Sequence, residues 1–512
     1  MNKEKLLYTP IKIIIPLIFL TIASYLMYKG AGYSISKTHI VMMMLLIIFA
    51  NSSKKAFYFI IIPLVLLYMI YAPIGFTFGK ASYQYIASIF TTDYSETTEF
   101  MNQIPIENWF YTLAILISVL LFRITTQKFN IHYTKNKTFL IIAIITLTFK
   151  QGPFDYFKNI KTSSMEVKHE LTRLNEMKTE NHWGKSTLTK KSTYDTYVLV
   201  IGESMRRDYL NLYGYPVKDT PFMNSTNGVV INGLESGGTN TIASLRLMLT
   251  KANTKTWQPN YALNFIDLAN SAGFKTYWLS NQGYLGTYDT PVTSIATRSD
   301  YKYFTKYGAY DSANTSDYLL ISKLKSILQT NPEKQKRLIV LHIYGSHPSA
   351  CDRINDFNKK VISVKSEKYK YLACYVNSIA KTDDFLSKTY SLLEKNYKKN
   401  DDSFSLVFFA DHGLAHRVID NKILFNNNRV SKYHHDIPLM KFSSDDTQQI
   451  RYTAFKSGLN FTDGLAYWMG INNKNVTQNI DLFSSKSMSD DYGLHNKIKN
   501  SVNDPAIDIR GK

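Results

Sequence analysis

Four short motifs carry residue types able to hold a divalent cation. Glu203 follows the apolar run Tyr197–Gly202 (YVLVIG), where a carboxylate is costly unless a metal or a partner compensates it. Asp411-His412-Gly413 follows Ser405–Ala410. A carboxylate and an imidazole side by side at a strand end are natural ligands for zinc. His342 lies in Leu338–Gly345, which runs into Ser346-His347-Pro348, and Tyr433-His434-His435-Asp436 lies further along. A lone Asp-His pair is more often a capping or hydrogen-bonded pair than a metal site; four such motifs at strand ends reverse that preference. The stretch Ser236-Gly237-Gly238-Thr239-Asn240-Thr241 is small, polar and flexible, and precedes the helix-compatible run Ile242–Thr250. A Thr at such a helix start feels the positive end of the dipole. Taken alone, Thr239 or Thr241 reads as an N-cap. Beside a metal cluster, a metal-activated Thr alkoxide is the better reading.

These residues need a scaffold that delivers them to one place. From Tyr194 onward, β-rich apolar runs (Tyr197–Gly202, Val229–Leu234, Lys275–Ser280, Leu338–Gly345, Ser405–Ala410) alternate with helix-like stretches (Ala262–Ser271, Ser316–Leu328, Tyr371–Leu393). That alternation predicts an α/β domain with a mainly parallel sheet covered on both faces. Ligands of such sheets bind beyond the carboxyl ends of the strands, which is where the motifs stand.

The N-terminal part has another character. Five apolar runs, Ile11–Tyr28, His39–Ala50, Ala56–Gly75, Trp109–Phe122 and Thr138–Phe149, predict a five-helix transmembrane domain over residues 1–150. The second, fourth and fifth reach spanning length only with their flanking Tyr, Ser and Thr. Basic segments (Lys3 and Lys5; Lys54 and Lys55; Arg123, Lys128, Lys135 and Lys137) occupy every second connection, so all fall on one side of these runs. Placing them inside puts the N-terminus in the cytoplasm and everything after Phe149 outside. Residues 151–193 read as a polar, partly helical connector and 194–512 as the outer domain. Ser82–Phe90 has an apolar face suited to a membrane–water interface, and Ser88, Thr92 and Glu96 share one helical face. Outside the cytoplasm Cys351 and Cys374 can form one bridge, worth about 3 kcal/mol. The bridge is favoured over two buried thiols.

Composition closes off other classes. The chain has 512 residues, 45% hydrophobic and 14% aromatic, too rich in core-forming side chains for a disordered chain. Two cysteines exclude a disulfide framework. The net charge of +20 is spread over inner loops and scattered lysines, which disfavours nucleic-acid binding.

The motifs together resemble the bacterial phosphoethanolamine transferases, membrane members of the alkaline phosphatase and sulfatase superfamily. The matching stretches are VLVIGESMRRDYLNLYGYPVKDTPFM (198–223), GGTNTIASLRLML (237–249), FIDLANSAGFKTYWLSNQG (265–283), VLHIYGSHPSACDR (340–353), FFADHGLAH (408–416) and YHHDIP (433–438). The resemblance implies an alkaline phosphatase/sulfatase-like α/β/α sandwich outside a five-helix membrane domain. It implies one or two zinc ions, with Glu203, Thr241, Asp411 and His412 as ligands and Thr241 as nucleophile. By the same resemblance His347 and His435 bind the phosphate or a second zinc, and His342 is a further site histidine. Gln282 is a substrate-contacting amide, and Thr92 and Glu96 contact the lipid donor. Ser88 stands where better-known members carry Asn. Leu247 and Gly237 stand where lipid A-modifying members have a bridge near the nucleophile. The wording GESMRRD, SNQG and SHPSACDR is similar to the branch that modifies periplasmic glucans. The implied protein is a monomeric inner-membrane enzyme with a periplasmic catalytic domain. Its donor is phosphatidylethanolamine and its acceptor an anionic or hydroxyl-bearing envelope glycan or glycolipid. Alternatives are a glycerol-phosphate transferase of the lipoteichoic acid synthase type and a non-enzymatic membrane-anchored scaffold with a structural metal. A sulfatase is disfavoured, because Thr241 cannot become formylglycine.

Overall fold

The computed structural model describes residues 3–81, 104–133, 154–177, 181–284, 290–307, 314–330, 335–419, 421–426 and 430–512, with positions 101, 138 and 141. Ser82–Phe90, Ser88, Thr92 and Glu96 lie outside the described residues, as does most of the fifth apolar run. The chain forms two compact units that meet in sequence between His169 and Glu170.

Among the described residues of the N-terminal unit, three helical segments are long and apolar enough to cross a membrane: Ile11–Gly30, Lys54–Thr77 and Ile106–Lys128. Apolar Lys37–Asn51 is shorter, at 15 residues. The Lys54–Thr77 segment passes through a π-helical turn at Phe57–Ile61. Arg123 is buried near the end of its helix and donates to the Asn51 backbone carbonyl (2.6 Å) and to Asn51 Oδ1 (2.9 Å). An intramembrane cation is tolerated where such partners replace water.

The C-terminal unit is built on one eight-stranded sheet. Its strands are β1 (Thr196–Gly202), β2 (Gly228–Glu235), β3 (Lys275–Tyr284), β4 (Tyr301–Tyr307), β5 (Arg337–His342), β6 (Phe404–Ala410), β7 (Asp436–Ser443) and β8 (Gln449–Ser457). The spatial order is β8-β2-β7-β6-β1-β5-β3-β4. All neighbours pair parallel except β7, which runs against both β2 and β6. The central strands β1, β5 and β6 are buried along their whole length, as expected of strands covered on both faces.

Three strands of this sheet escape the sequence reading. β4 (YKYFTKY) and β8 (QIRYTAFKS) are edge strands with alternating polar residues. β7 contains Pro438, which normally argues against a central strand; here the proline sits where the register with β2 shifts between Ile437 and Leu439. The expected strand Leu338–Gly345 stops at His342, because the chain turns at Gly345 with a positive φ of 47°.

Helices cover the sheet. The longest runs from Lys370 to Asn400 and buries Tyr375, Val376, Ile379, Phe385 and Leu386. It exceeds the expected Tyr371–Leu393 because charged residues carry it on into solvent. Cys374, in its first turns, is disulfide-bonded to Cys351 on the short helix Ala350–Arg353.

Candidate active site

β1, β5 and β6 are adjacent and parallel, so their carboxyl ends open on one edge. β1 delivers Glu203, β6 delivers Asp411 and His412, and β5 ends in His342. Because β7 runs the other way, its beginning lies at that same edge, and His435 precedes it directly. Two close approaches hold the loops together. Gly345 packs on the Glu203 backbone, and Ser346 N–H donates to the Glu203 carbonyl (3.1 Å). Gly413 N–H donates to the His434 carbonyl (2.8 Å), and a Cβ on Gly413 would lie 2.0 Å from the Tyr433 carbonyl oxygen. Only glycine permits that contact.

Thr241 is the first residue of the helix Thr241–Met248. The cap is its neighbour: Asn240 Oδ1 accepts from the Ala243 N–H (2.8 Å). With capping done by Asn240, the Thr241 hydroxyl points into the site. It donates to Glu203 Oε2 (3.1 Å), lies 3.3 Å from Oε1, and is 3.4 Å from His412 Nε2. His412 Nε2 is also 3.4 Å from Glu203 Oε1 and 3.4 Å from Asp411 Oδ2. Glu203, Asp411 and His412 are buried, and each offers a ligand atom within 4.8 Å of the others.

Surrounding donors orient these atoms. The N–H groups of Ser204 (2.9 Å) and His412 (2.7 Å) donate to Asp411 Oδ1. Ser204 takes φ 54° to do so and turns its hydroxyl onto Glu203 Oε1 (2.7 Å). Gln282 Nε2 donates to Glu203 Oε2 (3.1 Å) and to the Ile343 carbonyl (3.1 Å). His412 Nδ1 contacts the Gly413 carbonyl (2.6 Å) and His435 Nδ1 the Ser236 carbonyl (2.9 Å). Carbonyls only accept, so both rings donate from Nδ1, the arrangement that aims Nε2 of a metal-ligating imidazole at its ion.

Asp411 Oδ2 is buried with no hydrogen-bond donor. Such an oxygen is expensive unless a cation faces it. The electrostatics agree. Burial raises the Asp411 carboxyl, and the Glu203 charge raises it further. Burial also opposes ionisation of Glu203, but the His412 hydrogen bond and charge override it and hold that carboxyl low. Burial disfavours the His412 imidazolium, yet Asp411 and Glu203 raise it to about 9. Oxygen and imidazole donors gathered on one point, with one oxygen unsatisfied, fit a divalent cation of the zinc type.

The other expected site residues stand around this centre. His342 is buried edge-on to Trp278, with ring centroids 6.0 Å apart, and burial lowers it to about 4. His347 is half-buried and stacks on Tyr344, centroids 4.7 Å apart; desolvation lowers it too. Three contributors escape the sequence reading: Ser204, Asn240 and Asp317. Asp317 accepts from the N–H groups of Tyr344 (2.7 Å) and Gly345 (3.1 Å) and from Asn281 Nδ2 (2.7 Å). It ties the loop after β5 to β3. None of the three carries a periodic signal; Asn240 lies in the small-residue stretch Ser236–Thr241, where Asn is by type a better cap than Thr, a signal that could have named it.

The chain matches the sulfatase family model over residues 195–471. It is 47% identical over 367 residues to a Haemophilus influenzae protein whose name assigns it to the phosphoethanolamine transferases, covering 71% of this chain and 75% of that one. It is 31% identical over 448 residues to the Escherichia coli phosphoethanolamine transferase OpgE, covering 82% of each. Among solved structures, the integral membrane lipooligosaccharide phosphoethanolamine transferase EptA of Neisseria meningitidis superposes with a TM-score of 0.59 over 92% of this chain and 97% of that one. At 16% identity that likeness is one of fold.

Proposed function

The chain belongs to the phosphoethanolamine transferase family and carries its sulfatase domain, and on that premise we propose that it transfers phosphoethanolamine from phosphatidylethanolamine to an envelope acceptor through a covalent threonine intermediate. The observation that supports this most is the Thr241 hydroxyl, held 3.1 Å from Glu203 and 3.4 Å from His412 at the mouth of a parallel sheet.

Glu203, Asp411, His412 and Thr241 would hold zinc. When bound, the ion lowers the pKa of a coordinated hydroxyl and neutralises charge on phosphate oxygens. Thr241 sits at a helix N-terminus, which further favours its anionic form. In the first half-reaction the Thr241 Oγ–P bond forms and the P–O bond to diacylglycerol breaks. Diacylglycerol leaves with a proton and stays in the membrane. In the second, an acceptor oxygen attacks the phosphoethanolamine-threonine and Thr241 regains its proton. His347 and His435, which burial holds in the neutral form, bind the phosphate or pass a proton between the attacking and leaving oxygens. The acceptor is a hydroxyl- or phosphate-bearing glycan or glycolipid, and the GESMRRD and SNQG wording favours a periplasmic glucan. Basic loops in the cytoplasm and an outer catalytic unit bring the centre to the lipid leaflet that supplies the donor.

The test uses membranes carrying the full chain and headgroup-labelled phosphatidylethanolamine. Wild type is expected to move label to an envelope glycan or glycolipid, to lose this with a strong chelator and to regain it with zinc. Thr241→Ala is expected to lose transfer and the covalent label while keeping its expression and melting temperature. Full transfer by Thr241→Ala, or indifference to chelation, overturns the assignment.

A further inference from the structure

Beyond the region matched to the sulfatase family, the chain returns to the site. Residues 502–509 lie against three loops at once, and Asp504 touches all three. Its Oδ2 accepts from the His416 N–H (2.6 Å), four residues beyond His412. The same oxygen is 3.4 Å from Arg206 Nη1, and Arg206 Nη2 donates to the Asp504 backbone carbonyl (2.7 Å). Oδ1 accepts from the Ser431 hydroxyl.

Each contact is one step from a site residue. Arg206 follows Glu203 by one turn of chain, is fully buried, and also grips Asp208 through Nε (2.9 Å) and Nη2 (2.7 Å). It also donates to the Leu414 carbonyl (3.2 Å). A Ser hydroxyl has one proton. With that proton given to Asp504, the Ser431 lone pairs accept from the Tyr433 N–H (3.1 Å) and close the turn that carries His434 and His435. Backbone pairing reinforces the seat: Val502 N–H donates to the Val430 carbonyl (3.1 Å) and Lys432 N–H to the Val502 carbonyl (3.1 Å).

We propose that Asp504 is a positioning residue of the active site: one carboxylate on the C-terminal segment that sets the Glu203, Asp411-His412 and His435 loops against one another. The proposal rests on the transferase reading for its kinetic readout, but not for its binding readout. A charged acceptor of a buried Arg, a hydroxyl and a backbone N–H cannot be exchanged for an amide without turning a donor toward one of those donors.

Asp504→Asn is compared with Ser431→Ala and with Asp508→Asn, whose carboxylate bonds Arg510 in the same segment. Zinc affinity is measured by chelator competition on the purified full chain, and kcat and KM with labelled phosphatidylethanolamine. Asp504→Asn is expected to weaken zinc or lower kcat by about tenfold or more, the usual effect of losing an outer-shell partner, with KM changed less than about twofold. Ser431→Ala moves the same quantities in the same direction, and Asp508→Asn leaves them unchanged. A lowered melting temperature with zinc affinity and kcat both intact overturns the proposal, as does a Ser431→Ala variant equal to wild type should Asp504→Asn fail to fold. If wild type transfers no label, the zinc measurements alone decide it.

Discussion

His416 is packed between Arg206, Tyr209 and Phe425, and its Nε2 lies 2.6 Å from the Tyr209 hydroxyl. Burial first, and the Arg206 charge second, hold its imidazole down from 6.5 to about 3. Below pH 6.5 the unfolded chain therefore takes a proton here that the folded chain refuses. Stability is lost as pH falls from 6.5 toward 3, by up to about 1.4 kcal/mol per pH unit for this group. Urea unfolding at pH 7 and pH 5 is expected to show a smaller acid loss in His416→Gln than in wild type; an equal loss rejects the assignment. The residues that could be read in advance and those that could not differ in a simple way. Glu203 and Asp411 stand out because a carboxylate ending an all-apolar strand has few inexpensive explanations. Asp504 and Arg206 do not stand out: they sit in irregular segments, and their meaning lies in partners far away in sequence.

The same contrast holds for the elements. β1, β5 and β6 are continuous apolar runs, and the alternation with helices identified them. β7 carries a proline that a bulge accommodates, and β4 and β8 are edges whose polar alternation mimics loops; pairing decided all three. The start of the helix was visible with Thr239 or Thr241 as its candidate cap, and the turn geometry gives that role to Asn240 instead. The Cys351–Cys374 bond joins two further elements, the helices Ala350–Arg353 and Lys370–Asn400. Replacing both cysteines by Ala is expected to cost about 3 kcal/mol through the entropy of the opened loop. Denaturant unfolding checks this, and a change below about 1 kcal/mol would show the crosslink to be dispensable.

For the molecule as a whole, the helices apolar enough to cross a membrane and the sulfatase match fall in separate units. If the basic loops are cytoplasmic, the unit from Glu170 onward faces outward. Protease added to intact spheroplasts is expected to digest that unit and to spare a tag placed before Lys3; a protected catalytic unit would reverse the orientation. The order of strands in the sheet has a temporal consequence. β1 leaves the ribosome before both its neighbours, β5 and β6, which are made much later. Pairings so distant in sequence form slowly and only after their partners exist. A chain halted before β6 has neither Asp411 nor His412, so the cluster able to hold a cation assembles only after both neighbours of β1 have emerged.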